Sequence, residues 1–422
     1  MKISTRIMSC WLMLLLLSGA QAQQLQYGET VTSRQRPELD PLGIRAAGFL
    51  TYPSLAVSEQ YNDNIFAGDG EEVDDFITFI RPGVKVRSDW NNHALNFRAD
   101  ANIARYADNG DEDFETYSFG TDGRLDITRN QSLFANALYS HLTQIRGDPD
   151  DRRGRFPAEY DLYTITGGYN HVFNRLSVRL EGTGVNYDYD NIPADGPTIN
   201  QDVRDRTDAI GTLRAAYELS PGYSAFLLGS YNNRSYDIER DTESGGVQRS
   251  SDGYEVGLGA ELALTGVTTG EVYVGYRSQF YDDPNLDTID GITGGASIYW
   301  NVTTLTTITG RVERTIEDTT FNTTTTVGGT RTPAAGYFST RYGVIVDHEL
   351  LRNLLLQASL FGLQQDFRGI ERTDDSLLAT VGATYLMNRY LDLSIGYGHT
   401  DRSSEFNDFS QNTATLTLNV KL

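Results

Sequence analysis

The chain has 422 residues, with 57 Asp plus Glu against 35 Lys plus Arg and a formal net charge of −22. So acidic a balance argues against nucleic acid as a partner, because phosphate binding needs clustered exposed base. Mean hydropathy is −0.40, which argues against a helical membrane protein but not against a membrane barrel, where half of every strand is polar.

Residues 1–22 read as a secretory signal. Lys2 and Arg6 supply a positive start, Trp11 to Leu17 an apolar stretch too short to span a bilayer, and Ala20-Gln21-Ala22 a cleavage site. The mature chain is expected to begin near Gln23. Cys10 falls inside the signal, so the mature chain would hold no cysteine, hence no disulfide and no thiol or cysteine-metal chemistry. Loss of Lys2 and Arg6 takes the charge from −22 to −24. Residues 23–48 are polar, carry Pro37 and Pro41, and show no period. They are expected to be a periplasmic segment leading into the first strand, or one that docks or plugs.

Residues 49–422 settle into a regular alternation. Candidate strands fall at 52–61, 76–87, 93–106, 114–127, 132–144, 162–172, 176–189, 204–219, 223–235, 254–264, 270–281, 288–300, 304–316, 337–349, 354–367, 376–387, 390–400 and 412–422. The last shows the pattern most plainly: Leu416, Leu418, Val420 and Leu422 alternate with Thr415, Thr417, Asn419 and Lys421. No amphipathic helix offers cover for that apolar face, so the expected cover is lipid. The fold class predicted is all-β, a transmembrane antiparallel outer-membrane barrel of about 18 strands. Connections alternate between tight ones, such as Phe173-Asn174-Arg175 and Ser220-Pro221-Gly222, and longer acidic ones, such as 62–75 and 145–160. Tight turns suit the periplasmic end and long loops the outside, which places both termini in the periplasm.

Charge fixes the strand faces. In 93–106, Leu95, Phe97, Ala99, Ala101 and Ile103 share one face, and Asn96, Arg98, Asp100 and Asn102 the other. A slip of one residue would put Arg98 and Asp100 into hydrocarbon, at about 2–4 kcal/mol for an arginine near the midplane. The same argument turns inward Arg81, Lys85, Arg87, Asp122, Arg124, Asp126, Arg179, Glu181, Arg214, Glu218, Arg277, Arg311, Glu313 and Arg341. Glu255, Glu261, Glu271, Asp347, Asp392 and Lys421 join them. This mixed lining reads either as cross-strand pairs that stiffen the wall or as a polar track, with a basic patch at Arg81, Lys85, Arg87, Arg98 and Arg124 suited to carboxylate-bearing sugars. Strands 132–144 and 223–235 are apolar on both faces, which leaves their registers open.

Aromatic girdles are expected at Trp90, Phe173, Tyr223, Trp300 and Tyr390 near the tight turns, and at Tyr61, Tyr106, Tyr117, Tyr187, Tyr236, Tyr281 and Tyr337 near the loops. The acidic loops 62–75 and 107–115 are expected to be solvated or bridged by divalent cations to lipopolysaccharide. Neither they nor the five histidines show metal-ligand spacing, and no cofactor motif is present. Gly167-Gly168 and Gly294-Gly295 lie within strands, not before helices, so they are not phosphate loops. In loop 145–160, Arg146, Arg152, Arg153 and Arg155 alternate with acids. That loop either meets an anionic glycan at the exit or folds inward as a constriction.

The opening Tyr61-Asn62-Asp63-Asn64-Ile65-Phe66, the acids Asp74-Asp75, and Arg81-Pro82-Gly83-Val84 resemble the start of the putative β-barrel porin 2 family. The resemblance implies an outer-membrane barrel associated with exopolysaccharide or capsule export, and supplies no catalytic residues. The chain departs from the usual outer-membrane pattern by ending in Leu422 and not in an aromatic.

The expected function is a passive conduit for a surface or secreted polysaccharide, partnered by outer-membrane lipid, lipopolysaccharide and periplasmic or inner-membrane synthesis proteins. A general diffusion porin and a non-conducting scaffold are the alternatives. An enzymatic barrel would need His141 or His399 at the outer rim, where His399-Thr400-Asp401 and Ser403-Ser404 hold suitable residue types without diagnostic spacing.

Overall fold

The structure, a computed structural model, describes residues 28–70, 72–152, 154–193, 198–240, 246–265, 267–324 and 331–422. The expected signal peptide, the first residues of the segment that follows it, and Arg153 lie outside the described residues.

Period-two sequence becomes a single antiparallel sheet. Its wall strands are β1 (Phe49–Asn62), β2 (Asp75–Ser88), β3 (Ala94–Tyr106), β4 (Phe114–Thr128), β5 (Gln131–Thr143) and β6 (Glu159–Phe173). They continue as β7 (Leu176–Tyr189), β8 (Arg206–Ser220), β9 (Tyr223–Tyr236), β10 (Ser251–Thr265), β11 (Thr268–Tyr281) and β12 (Ile289–Thr303). The last six are β13 (Thr306–Asp318), β14 (Gly336–Leu351), β15 (Leu354–Arg368), β16 (Thr373–Leu386), β17 (Leu391–Ser404) and β18 (Phe409–Lys421). Each pairs with its neighbours in sequence, and β18 returns to β1 from Ser54↔Lys421 to Asn62↔Thr413. That last ladder closes an eighteen-stranded barrel and leaves no wall edge without a partner strand. Three further short strands lie outside the wall: Ile44–Ala46 folds back on Phe49–Thr51 below the end of β18, and Asn322–Thr324 pairs with Arg331–Pro333 between β13 and β14.

The outer face is apolar. Leu55, Val57, Phe97, Phe119, Leu180, Leu213, Val256, Val274, Ile395 and Leu418 all stand exposed on it, as a lipid-covered wall requires. The register left open in 132–144 is settled by Gly123↔Ala135 and Leu125↔Leu133, which turn Phe134, Leu138 and Leu142 inward. In β9, Phe226 and Leu228 face inward likewise, opposite Gly259 and Gly257.

Some of the glycines inside strands have a packing reason. A Cβ built on Gly168 would lie 2.2 Å from the Phe134 ring, one on Gly259 2.2 Å from Phe226, and one on Gly295 2.7 Å from Tyr273. In these pairs the missing side chain is the seat for a cross-strand aromatic.

The predicted girdle needs a correction at the loop end. Tyr61 and Tyr117 face outward, but strand parity turns Tyr106, Tyr187, Tyr236, Tyr281 and Tyr337 into the lumen, where Tyr236 and Tyr337 are buried. Their place on the outside is taken by Phe76, Tyr163, Tyr231, Tyr254, Tyr276 and Tyr397.

Candidate functional site

Wall parity places all of the candidate lining residues on the lumen face. Arg81 donates to Asn102 at 2.7 Å and Ser58 at 2.9 Å, and stacks on Phe79. Arg124 meets Asp126 at 2.9 Å, Arg179 meets Glu181 at 2.5 Å, and Lys421 meets Asp392 at 2.8 Å. Arg214 reaches two carboxylates on neighbouring strands, Glu261 at 2.6 Å and Glu271 at 2.8 Å. Glu313 stands opposite Arg341 in register, and Arg277 opposite Glu255. Asp100 accepts the Ser118 hydroxyl at 2.9 Å, and Asp122 the Asn96 amide at 2.7 Å. Glu218 lies toward the tight-turn end, opposite Ser224, while Arg311 faces Ser297 and Gly343.

Two lumen features escaped the sequence. Arg179 lies over the ring of Phe134 at 4.1 Å, and Arg214 over Phe226 at 3.8 Å. Such stacks hold a guanidinium flat against the wall and contribute roughly 0.5–2 kcal/mol each. A signal existed in the glycine opposite each ring, but only the register makes it readable. The other feature is a hydroxyl lane on β15 to β1, where Ser359 meets Thr380 at 2.7 Å, Thr384 meets Ser394 at 3.0 Å and Ser58 meets Thr417 at 2.8 Å.

At the loop end the lumen is bridged. The connection from Gln144 to Ala158 joins β5 to β6, and its Arg146 grips both oxygens of the buried Glu112, in the β3–β4 connection, at 3.0 and 2.6 Å. Asp150 accepts the Thr319 hydroxyl at 2.6 Å and the Thr320 amide at 3.2 Å, from the β13–β14 connection. β5 and β13 stand eight places apart in the wall, so this connection reaches nearly the opposite side. Gly147, at φ +82°, brings its backbone against Ala67 and Phe409, where a Cβ would lie 2.9–3.0 Å from both. Its carbonyl accepts from Arg402 of β17. Arg402 is held in turn by the fully buried Asp374, which also takes Ser404 and, at 2.6 Å, Arg372. The inward constriction is thus the form that loop 145–160 adopts.

Apolar packing supports the same end. Ile65, Ile77, Phe79 and Ala104 form one cluster, and Tyr160, Leu162, Val185 and Tyr189 another. β13 also leans over the opening. Its pairing with β12 stops at Gly294↔Arg314, yet it continues to Asp318. Asp318 there accepts from Tyr236 and, at 3.3 Å, from Tyr281 on the wall beyond.

The tight-turn end is built differently. Residues 28–42 lie on the lumen face of β12 to β14. The Val31 amide donates to Thr307 at 3.0 Å, and buried Arg36 bonds Glu349 at 2.8 Å and the Val31 carbonyl at 2.7 Å. The chain must then cover five strand positions from β14 to reach β1. Over the described part, this segment rests on the inner wall before it leads into β1.

His141 and His399 both face outward at the loop-end rim. His141 contacts Asp161 at 2.8 Å and His399 contacts Asn412 at 2.9 Å, with no Ser or Thr hydroxyl bonded to either among the described residues. No group of three His, Cys, Asp or Glu able to hold a metal occurs among the described residues.

No curated protein matches the sequence. Among solved structures the chain is similar to OpdL of Pseudomonas aeruginosa, at 11% identity over 89% of this chain and 99% of that one, with TM-score 0.45. It is similar to OccAB4 of Acinetobacter baumannii, at 12% identity over 88% and 98%, TM-score 0.45. The siderophore receptor PirA from Pseudomonas aeruginosa matches at 6% identity over 92% and 81%, TM-score 0.44. Against the chain matched in the FpvAI–pyocin S2 complex it spans 55% of that chain's length, covering 84% of its own, at 10% identity and TM-score 0.43. The sequence from 36 to 422 matches the family described as Putative beta-barrel porin 2. Since that match runs from the docked segment to the end of the closing strand, the chain belongs to this family of outer-membrane barrels.

Proposed function

We propose that the barrel is a gated, passive conduit through which a hydrated surface or secreted polysaccharide leaves the cell. The observation that carries the conduit is the closed eighteen-strand wall with a polar lumen face. A wall of that strand number leaves an aqueous channel unless something fills it, and here its two ends are occupied by its own chain. A saccharide cargo suits the hydroxyl lane of β15 to β1, which offers neutral donors and acceptors opposite charged walls, and suits the export association that the resemblance implies. In this reading the tight turns and both termini face the periplasm, after cleavage of a signal peptide. Residues 28–42 then lie at the entrance and 144–158 at the exit. Outer-membrane lipid and lipopolysaccharide surround the wall. Energy comes from synthesis and inner partners, which meet the barrel at the docked segment.

The bridged mouth favours a second reading, a general diffusion porin, because small solutes pass a constriction that a polymer does not pass unless the loop moves. Deleting the gene separates the two. Polymer made but retained inside the cell supports export, and normal polymer outside the cell with slower small-solute uptake supports the porin.

A further inference from the structure

The lumen arginines are not equally occupied. Arg81, Arg124, Arg179 and Arg214 each have the partners given above. Arg87 and Arg98 have no hydrogen bond or ion pair among the described residues, Arg87 lying only over the Tyr52 ring at 6.0 Å, and with Lys85 they stand exposed on the lumen face of β2 and β3. Register places Lys85 directly opposite Arg98, and Arg87 opposite Asn96. Arg87 and Arg98 thus present two guanidinium groups on neighbouring strands, one diagonal step apart in register, that a single anion can reach.

Local geometry keeps the patch open. The inward position opposite Arg98 is Gly120, and a Cβ built there would lie 2.7 Å from the Arg98 Nε. Arg98 therefore lies flat across β4, with its guanidinium spread along the wall. The nearest acids are engaged by neutral donors, Asp100 by Ser118 and Asp122 by Asn96. Across the lumen, seven and eight places from β3, the inward Glu261 and Glu271 of β10 and β11 are bonded by Arg214, and Glu255 stands opposite Arg277. A cargo bearing negative groups would be drawn to β2–β3, where the cations are not matched in this way.

We propose that Lys85, Arg87 and Arg98 form an anion-binding subsite on the lumen wall that takes the carboxylates of an acidic saccharide. A planar carboxylate matches the fork of a guanidinium that lies against the wall, and the ammonium of Lys85 neutralises a neighbouring oxygen. The inference rests on the conduit reading and adds the charge of its cargo.

The test is titration calorimetry on the full-length protein in detergent, with a uronate tetrasaccharide and a neutral glucose tetrasaccharide as probes. Wild type should prefer the uronate, and the preference should weaken with added salt. Arg87→Gln with Arg98→Gln should weaken uronate binding by about tenfold or more, since each charge-assisted bond lost is of that order, and leave the neutral probe unaffected. Lys85→Gln alone should act in the same direction by less. Heat-modifiable migration identical to wild type shows that the variants fold. Equal binding of both probes by wild type, no uronate binding at all, or unchanged uronate affinity in the folded double variant would each overturn the subsite. Bilayer conductance, measured in parallel, reports on the conduit alone. Channels without uronate preference sink the subsite only, and binding without channels sinks the conduit only.

Discussion

The two ends of the lumen are occupied by opposite means. At the loop end, several connections converge into apolar clusters and a buried network in which Asp374 alone holds Arg372, Arg402 and Ser404. At the tight-turn end, one segment without its own secondary structure rests on a buried ion pair, Arg36–Glu349, an exposed one, Glu38–Arg352 at 3.6 Å, and hydrogen bonds from Val31 and Arg34. The first set of contacts is shared among many strands, so breaking it disturbs the wall. The second can leave without changing any strand pairing, which makes the turn end the part of the barrel suited to release.

Removing the carboxylate of Asp374 should have the largest effect. Asp374→Ala leaves two buried guanidinium groups without their anion, and breaking a buried pair this way costs about 3–5 kcal/mol. Urea unfolding in detergent should show a lowered midpoint, and Arg402 should lose its hold on Gly147. A wild-type midpoint would mean that the mouth is not tied to wall stability.

Glu349→Ala costs a similar roughly 3–5 kcal/mol as long as Arg36 stays buried. Here the molecule has an escape, because residues 28–42 can swing away and hydrate Arg36. The expected result is a higher single-channel conductance with little change in the unfolding midpoint, and a chain lacking residues 28–42 should behave alike. A large midpoint shift without extra conductance would show the segment to be structural and would erase the contrast between the ends.

Asp150→Ala tests one strut of the bridge. It removes the acceptor for Thr319 and Thr320 but leaves Arg146–Glu112 and Arg402–Gly147 in place. The loss should be about 1.5–3 kcal/mol, seen as more frequent full openings in bilayer recordings. Unchanged gating would mean that the bridge does not depend on its far anchor.

How much of this was legible follows from what each feature costs. The strands and the faces of Arg98, Arg179 and Arg214 could be read because charge in hydrocarbon is expensive and period two allows only one register. Phe134 and Phe226 could not, since an apolar side chain is tolerated on either face and only the seating glycines on neighbouring strands decide. Tyr236 and Tyr281 were misplaced for a related reason. An aromatic near a strand end suits a girdle and a packed mouth equally, and parity counted along the strand sends both inward to Asp318. The docked segment has no period at all, and its partners Thr307 and Glu349 lie about three hundred residues along the chain.

The mouth should also respond to pH, though least of these effects. Burial raises the Asp205 carboxyl from its ordinary 3.8 to about 6, with Asp188, Asp202 and Asp237 adding repulsion against the bond from the Tyr189 amide. A carboxyl raised by folding stabilises the folded form while protonated. That contribution is full below the ordinary value and is lost as pH rises through about 6. Between pH 7 and pH 5 the connection from β7 to β8 should therefore tighten, and with it Arg204, the next link to Gln144 of the bridging connection at 2.9 Å. Openings should become rarer over that interval in wild type. Asp205→Asn keeps an acceptor for Tyr189 and carries no charge, so it should show the low-pH behaviour at both values. If the variant retained the wild-type response, the sensor would be elsewhere, and the tight-turn end, where Glu349 is already paired, would be the next place to look.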